Sequence, residues 1–240
     1  MLSYFEETAK LLKTIETTQK EPMEKAAKLL AQCVAKDGLI YTFGAGHSLS
    51  VALEPFHRSG CLACVSAVLD QSFNFLPSAA ASTQLERLEG YAQIILKRHN
   101  ITANDAIIII SNSGRNPAGI DAALYAKNLG AKVIVITAVK AHKNTTSRHS
   151  SGKMLRDCAD VAIDNCCPKQ ETALTLQGKS IAPVSTIAGA AVMNNIMYLT
   201  AKILSEEGKE IPLYLSSNDG GDENNAKLEK KYKGRILHLV

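Results

Sequence analysis

The sequence at residues 106–117 is AIIIISNSGRNP, and this stretch decides the fold class. Residues 106–110 are apolar at every position, which is typical of a strand covered on both faces in a parallel sheet. Asn116 suits the N-cap of a helix, Pro117 suits its first position and Gly130 suits its end. The sequence therefore predicts a buried strand, a short polar loop and a helix over 117–129.

The same order of strand, loop and helix recurs on both sides of this stretch. Further strands are predicted at 39–43, near 62–68, at 133–136 and at 161–163, and helices at 3–35, 83–97 and 182–205. Pro22 is expected to separate or kink the first helical region. Such repeats indicate a doubly wound α/β sandwich, with helices on both faces of a parallel sheet.

Three regions are expected along the chain. Residues 1–35 form an N-terminal helical segment that packs on the domain or on a partner subunit, residues 36–210 form the α/β domain, and residues 211–240 form a polar tail. The last six residues, 235–240, are apolar enough to dock as an edge strand.

Bulk composition argues against several classes of protein. The net charge of +4 gives no reason to expect nucleic acid binding, and no stretch approaches ~18 uninterrupted apolar residues. The N-terminus lacks the order of a signal peptide. The motif Cys61-x-x-Cys64 admits zinc or redox chemistry, but buried, reduced thiols in a cytoplasmic protein are the favoured interpretation. We expect no metal, no cofactor and no contact with membranes.

Candidate ligand-binding residues follow the predicted strands, because an open parallel sheet binds ligands beyond the carboxyl ends of its strands. The first such loop is GAGHS, residues 44–48, where glycines let a ligand approach the backbone. It is not a dinucleotide fingerprint, since Leu49 stands where GxGxxG needs glycine. From this loop we expect substrate contacts at Gly46 and Ser48.

The second loop is SNSGRN, residues 111–116. Hydroxyls and the free N–H groups of the following helix would donate to a phosphate, and the helix dipole favours negative charge there. An ordinary turn with an N-cap accounts for Gly114 and Asn116 but not for the two serines and the arginine. The expected contacts are Ser111, Asn112, Ser113, Gly114 and Arg115.

The third loop follows the strand at 133–136 and is rich in cations and hydroxyls, with no acidic residue until Asp157. A solvated basic loop is the alternative to an anion site. Arg148 and His149 are its candidate substrate contacts. Three such loops favour one phosphorylated polyol over a nucleotide.

These motifs resemble the SIS domain of phosphosugar isomerases and phosphosugar-binding regulators. The resemblance rests on GAGHS, on SNSGRNP and on the run from VIVITAVK to CADVAID, and it covers about residues 35 to 205. It implies a flavodoxin-like sheet with flanking helices, a homodimer or homotetramer, and a phosphate held by Ser111 and Ser113. The EPFHRSG and TSRHSSGK segments and the GGDENN tail further resemble bacterial sugar-isomerase-domain proteins described as phosphoheptose isomerases.

The resemblance also indicates catalytic candidates. Such proteins often carry a catalytic glutamate on the helix after the first glycine loop, and Glu54 matches that position. A surface ion pair between Glu54 and Arg58 is the alternative. His57, within one turn of Glu54, and His47 are further catalytic candidates. Either His47 or His149 could act as the acid that an aldose–ketose isomerase needs or could simply bind the ligand.

One departure weighs against heptose isomerase activity. Phosphoheptose isomerases carry a Glu-x-x-His pair on a late helix, whereas residues 182–195 contain no Glu or His, although Ser185 and Thr186 are placed to touch a ligand. The predicted function is thus a sugar-phosphate isomerase or a related lyase. A sensor that binds phosphosugars without turnover is the alternative.

Overall fold

The structure, a computed structural model, describes residues 3–76 and 78–239. Its centre is a five-stranded parallel sheet in the order β2-β1-β3-β4-β5. The strands are β1 (Ile40–Gly44), β2 (Val65–Ala67), β3 (Ala106–Ile110), β4 (Lys132–Thr137) and β5 (Val161–Asp164). This is the flavodoxin-like order, and it confirms the predicted α/β sandwich.

The apolar runs of the sequence form the middle of this sheet. Strand β3 lies between β1 and β4, with Ala106 opposite Ile40 and opposite Lys132. Every residue of β3 is buried, as expected for a strand covered by helices on both faces.

Helices cover the two faces of the sheet. On one face lie α1 (Tyr4–Thr18), α2 (Lys20–Ala35), α3 (Ser48–Leu53) and α7 (Ser185–Glu206), with α7 packed against the other three. On the other face lie α4 (Ala79–Glu86), α5 (Tyr91–Leu96) and α6 (Pro117–Asn128), which contact one another. Helix α2 contributes Ala26, Ala27 and Leu30 to the core, all of them fully buried.

Two predicted helix boundaries are wrong. The break in the N-terminal region lies at Gln19, and Pro22 sits in the first turn of α2, where proline costs no helical hydrogen bond. The single helix predicted at 83–97 is two helices, because Gly90 adopts a φ of 80° between them. The second break places Glu86 at the last position of α4.

A β-hairpin precedes the long helix and was not predicted. Strands β6 (Thr172–Leu176) and β7 (Lys179–Pro183) pair antiparallel through a turn at Gln177 and Gly178, both with positive φ. The helix expected at 182–205 therefore begins only at Ser185.

The C-terminal region docks on the domain. Residues 212–214 hydrogen-bond to residues 60–63, and α8 (Asp222–Tyr232) buries Leu228 and Tyr232. The expected edge strand at 235–240 is wrong over 235–239, which form turns, and Val240 lies outside the described residues.

Helix α7 has the length and hydropathy of a membrane span. In this structure its Gly189, Val192, Met193 and Ile196 are buried against the domain. This packing is that of a core helix in a globular fold.

All six cysteines are free thiols. Burial raises the pKa of Cys64 to about 12, so its thiol is protonated and unreactive at neutral pH. Within residues 3–76 and 78–239 no three His, Cys, Asp or Glu side chains come together in a metal-binding arrangement.

Candidate functional site

A polar cavity of about 260 Å³ opens at the carboxyl ends of β1 and β3. Strand order reverses between these two strands, which is where open α/β sheets bind ligands. The loops after β1 and β3, helix α4 and the start of α7 form its walls. Its polar lining residues are His47, Ser48, Ser82, Thr83, Glu86, Ser111, Asn112, Ser113, Asn116, Asn165, Glu171, Ser185 and Thr186.

The loop after β3 is a compact turn at the N-terminus of α6. Ser111 Oγ accepts a hydrogen bond from the Gly114 N–H at 3.3 Å. Gly114 has a φ of 60°, and a Cβ there would lie 2.8 Å from Thr137 Oγ1. Glycine is therefore required, and it turns Ser111 and Ser113 towards the cavity that the α6 dipole faces.

Asn112 presents an open donor in this loop. Its Oδ1 accepts from Asn165 Nδ2 at 2.8 Å, whereas its Nδ2 is buried and has no partner among the described residues. A buried donor without an acceptor costs about 1–3 kcal/mol. Asn112 and Asn165 both line the cavity, but Nδ2 itself has almost no accessible surface, so a ligand oxygen would reach it only if the Asn112 side chain turned.

The glycine loop after β1 forms the opposite wall. A Cβ on Gly44 would lie 2.4 Å from the Ser48 carbonyl oxygen, so the turn into α3 excludes any larger residue. Gly46 has a φ of 58°, and His47 packs its ring 5.0 Å from that of Phe75. Gly46, His47 and Ser48 all line the cavity; the expected substrate contacts of Gly46 and Ser48 and the expected catalytic role of His47 stay predictions.

Two carboxylates that the sequence analysis missed, those of Glu86 and Glu171, line the cavity. Glu86 Oε1 accepts from Asn116 Nδ2 at 2.8 Å, and Glu171 Oε2 accepts from Ser185 Oγ at 3.2 Å. Both are half-buried. Each carboxylate is thus oriented by a neighbouring side chain, which is the arrangement that acid–base catalysis needs.

Four expected substrate contacts lie behind the lining rather than in it. Gly114 and Arg115 are in the loop after β3, and Arg148 Nη1 donates to Asn116 Oδ1 at 2.8 Å. His149 Nε2 lies 3.1 Å from Asp121 Oδ1, and His149 Nδ1 lies 2.8 Å from Ser151 Oγ. His149 therefore attaches the basic loop to α6. Arg148 contacts Asn116, a residue of the cavity lining, from behind.

Glu54 and His57 do not line the cavity. Helix α3 ends at Leu53, and Glu54 lies 3.0 Å from Arg58 and 3.1 Å from Asn194. His57 has a φ of 47°, is exposed and contacts Glu229 at 3.1 Å. The ion pair considered as the alternative for Glu54 is present.

The residues that sequence reasoning missed come from elements whose placement depends on distant contacts. Glu171 stands at the base of the unpredicted hairpin, next to Ser185. Glu86 belongs to a helix whose end was placed incorrectly. No neighbouring motif in the sequence indicates Glu86 or Glu171. Only the order of the strands in the sheet brings both residues to the cavity.

Comparison with known proteins agrees with this architecture. The SIS domain family model matches residues 3–138, more than half of the chain. The chain belongs to the SIS-domain family. A UPF0309 protein of Caldanaerobacter subterraneus is 38% identical to this SIS-domain protein over 242 residues and covers 98% of both chains. A UPF0309 protein of Listeria monocytogenes is 36% identical and covers 99% of both.

Solved structures show the same SIS fold at low sequence identity. A phosphoheptose isomerase from Francisella tularensis superposes with a TM-score of 0.51 at 17% identity, covering 81% of this chain and 95% of the other. The sugar isomerase domain of an RpiR transcription factor from Sphaerobacter thermophilus has a TM-score of 0.50 at 18% identity, covering 95% and 94%. These likenesses establish the fold.

Proposed function

We propose that this SIS-domain protein binds a phosphorylated sugar and removes a proton next to the sugar's carbonyl group. The observation that carries the proposal is the shared cavity: an anion-binding loop at residues 111–113 and two oriented carboxylates, Glu86 and Glu171, line the same space. One part of such a site holds the phosphate, and the other performs acid–base chemistry on the sugar.

The phosphate is assigned to the loop after β3. The hydroxyls of Ser111 and Ser113 and the first N–H groups of α6 supply donors for several phosphate oxygens. The dipole of this 12-residue helix adds to the attraction.

The reaction begins with transfer of the C2 proton to one carboxylate. The electron pair of the C–H bond moves into the C1–C2 bond, and the carbonyl oxygen takes a proton from the second acid, which gives an enediol. Return of a proton to C1, with loss of the proton on O2, completes isomerisation. In an elimination, O1 instead loses its proton and the C1 carbonyl re-forms, the C1=C2 electron pair becomes the C2=C3 bond, and the group on C3 leaves with its own bonding pair and takes up a proton. Both outcomes share the same first step, and a positioned base accelerates it about 10²–10⁴-fold.

Exchange of the C2 proton with deuterated water tests the proposed base. We expect Glu86→Gln or Glu171→Gln to slow exchange on a sugar phosphate at least ~100-fold, since an amide accepts no proton. Glu54→Gln is the matched control outside the cavity, and it should exchange like the parent. Loss of exchange in Glu54→Gln alone would assign the base to the end of α3 instead.

Ligand binding tests the phosphate loop separately. Ser113→Asp places a negative charge where the phosphate binds and should weaken sugar phosphate binding at least tenfold, or about 1.4 kcal/mol. Ser50→Asp adds the same charge on the exposed side of α3 and should have no such effect. Binding without proton exchange in the parent would identify a phosphosugar sensor rather than an enzyme.

A further inference from the structure

Phe75 is a large apolar side chain that stays exposed in the lining of the cavity. It is 45% exposed, whereas Val51 and Ile110, which also line the cavity, are 2% and 5% exposed. Removal of apolar surface from water is the main favourable term in most associations. Phe75 therefore offers a ligand of this cavity an apolar surface to cover.

Hydrogen bonds on both sides of Phe75 hold its backbone in place. The Phe73 carbonyl accepts from the Gly46 N–H at 2.8 Å, and the Phe73 ring is in the core at 1% exposed. On the other side, Asn74 Oδ1 accepts from the Leu76 N–H at 2.7 Å. The exposure of Phe75 is thus a feature of an ordered segment that is tied to the glycine loop.

The Phe75 ring lies against the glycine loop and beside a second ring. A Cβ on Gly46 would lie 3.4 Å from Phe75 Cζ, so only the absence of a side chain leaves a gap there. The centroids of the Phe75 and His47 rings are 5.0 Å apart, and the two rings are tilted by 53°. Phe75 and His47 form one aromatic wall of the cavity that also contains Ser111 and Ser113.

An aromatic wall acts on the sugar and not on its phosphate group. The faces of an aromatic ring carry partial negative charge, so they attract C–H groups and do not attract phosphate oxygens. Pockets for small molecules combine such apolar surface with a few polar groups that fix the orientation of the ligand. The hydroxyls and amides of this lining supply the polar contacts, and Phe75 supplies the apolar one.

We propose that Phe75 is a specificity-determining residue whose ring packs against C–H groups of the sugar, so that the site prefers a sugar phosphate to inorganic phosphate. This rests on the proposed function, because it assumes that the phosphate occupies the loop at 111–113. The loop then holds what every phosphate ester shares, and Phe75 holds the carbon skeleton that distinguishes a sugar phosphate.

Calorimetric titration with glucose 6-phosphate, mannose 6-phosphate and ribose 5-phosphate tests the contact. Phe75→Ala should weaken binding of the sugar phosphate that the parent binds most tightly by at least about fivefold. Phe75→Tyr keeps the ring and should restore binding to within about twofold of the parent. Affinity for inorganic phosphate, measured by competition, should change less than about twofold in Phe75→Ala, because the loop at 111–113 is intact.

Leu76→Ala is the matched control, because Leu76 is the next residue, is 81% exposed and does not line the cavity. It should bind the same sugar phosphate within about twofold of the parent. Thermal unfolding of both alanine variants should stay close to that of the parent, since both side chains are largely in water.

Tryptophan fluorescence gives a readout that does not depend on affinity. The sequence contains no tryptophan, so Phe75→Trp introduces a single reporter at the aromatic wall. Its emission should change when the sugar phosphate binds and should not change at saturating inorganic phosphate. Leu76→Trp should report neither ligand.

The outcomes separate this inference from the proposed function. A loss of less than about fivefold in Phe75→Ala, an equal loss for inorganic phosphate, or an unchanged Phe75→Trp emission overturns the contact with Phe75 and leaves the phosphate loop intact. Binding of none of the three sugar phosphates by the parent, or binding that Ser113→Asp does not weaken, overturns the phosphate site and this inference with it.

Discussion

Gly114 shows how one backbone conformation sets up the proposed anion site. Its φ of 60° costs an alanine about 1–2 kcal/mol, and the alanine Cβ would also press on Thr137 Oγ1. Thr137 Oγ1 in turn donates to the Asn112 carbonyl at 3.1 Å, so the clash reaches the residue with the open amide. The backbone conformation of Gly114 therefore affects the position of the loop groups that are proposed to donate hydrogen bonds to the phosphate.

Gly114→Ala should therefore lower stability and remove sugar phosphate binding together. Gly152→Ala is the matched control, since Gly152 has a φ of 69° and a Cβ there would meet nothing within 4 Å. We expect the control to lose only the ~1–2 kcal/mol of backbone strain and to bind normally. Thermal unfolding and calorimetry measure both effects. Equal destabilisation in the two variants would show that the contact with Thr137 is unimportant.

The N-termini of α1 and α6 use their N-cap residues differently. Ser3 caps α1, with its Oγ accepting from the Glu6 N–H at 3.1 Å. Asn116 occupies the same position of α6, but its side chain makes no capping bond and instead joins Arg148 to Glu86. The predicted N-cap position is confirmed, whereas the predicted reason for asparagine is wrong.

These two caps give a paired prediction. Ser3→Ala should cost about 1 kcal/mol of unfolding free energy, whereas Asn116→Ser should cost little, because serine is an equally good N-cap residue. Asn116→Ser nevertheless removes the hydrogen bond that orients Glu86, so C2 proton exchange should fall roughly tenfold or more. Denaturant unfolding and the exchange rate separate the effects. Normal exchange in Asn116→Ser would argue against this positioning role.

The architecture of the whole chain was predictable where burial alone fixes the structure. The apolar runs at 106–110 and 133–136 have no alternation, and a sheet covered on both faces is the arrangement that buries them. The glycine and serine loops follow directly from those strands. The wall that contains Glu86 and Glu171 was not predictable, because contacts between distant segments place α4 and the β6–β7 hairpin.

The stability of the whole domain should depend on pH through His99. His99 is 6% exposed, and its ring packs edge-on against Tyr41 with the ring centroids 5.8 Å apart. Burial, with smaller contributions from His238 and Arg98, lowers the pKa of His99 to about 4 from 6.5. Between these pH values the unfolded chain holds a proton on His99 that the folded chain does not. The free energy of unfolding is therefore not reduced by His99 above pH 6.5, and it falls as the pH falls towards 4.

The loss should amount to about 3 kcal/mol at most, at 1.36 kcal/mol per pKa unit. His99→Phe keeps an aromatic ring against Tyr41 and should flatten the dependence of unfolding free energy on pH over this range. Urea unfolding at several pH values measures it. An unchanged slope in the variant would assign the pH dependence to other groups, with His238 the next candidate because burial also lowers its pKa.

The division of the cavity between a fixed loop and a variable wall has a consequence for evolution. The turn at 111–114 is locked by a glycine against the neighbouring strand, so replacing Gly114 lowers stability and displaces the proposed anion site together. The side chains of α4 and of the hairpin base carry no such constraint from the sheet. Under the proposed function, substitutions in the wall would change which sugar binds, whereas the loop would retain its contact with the phosphoryl group.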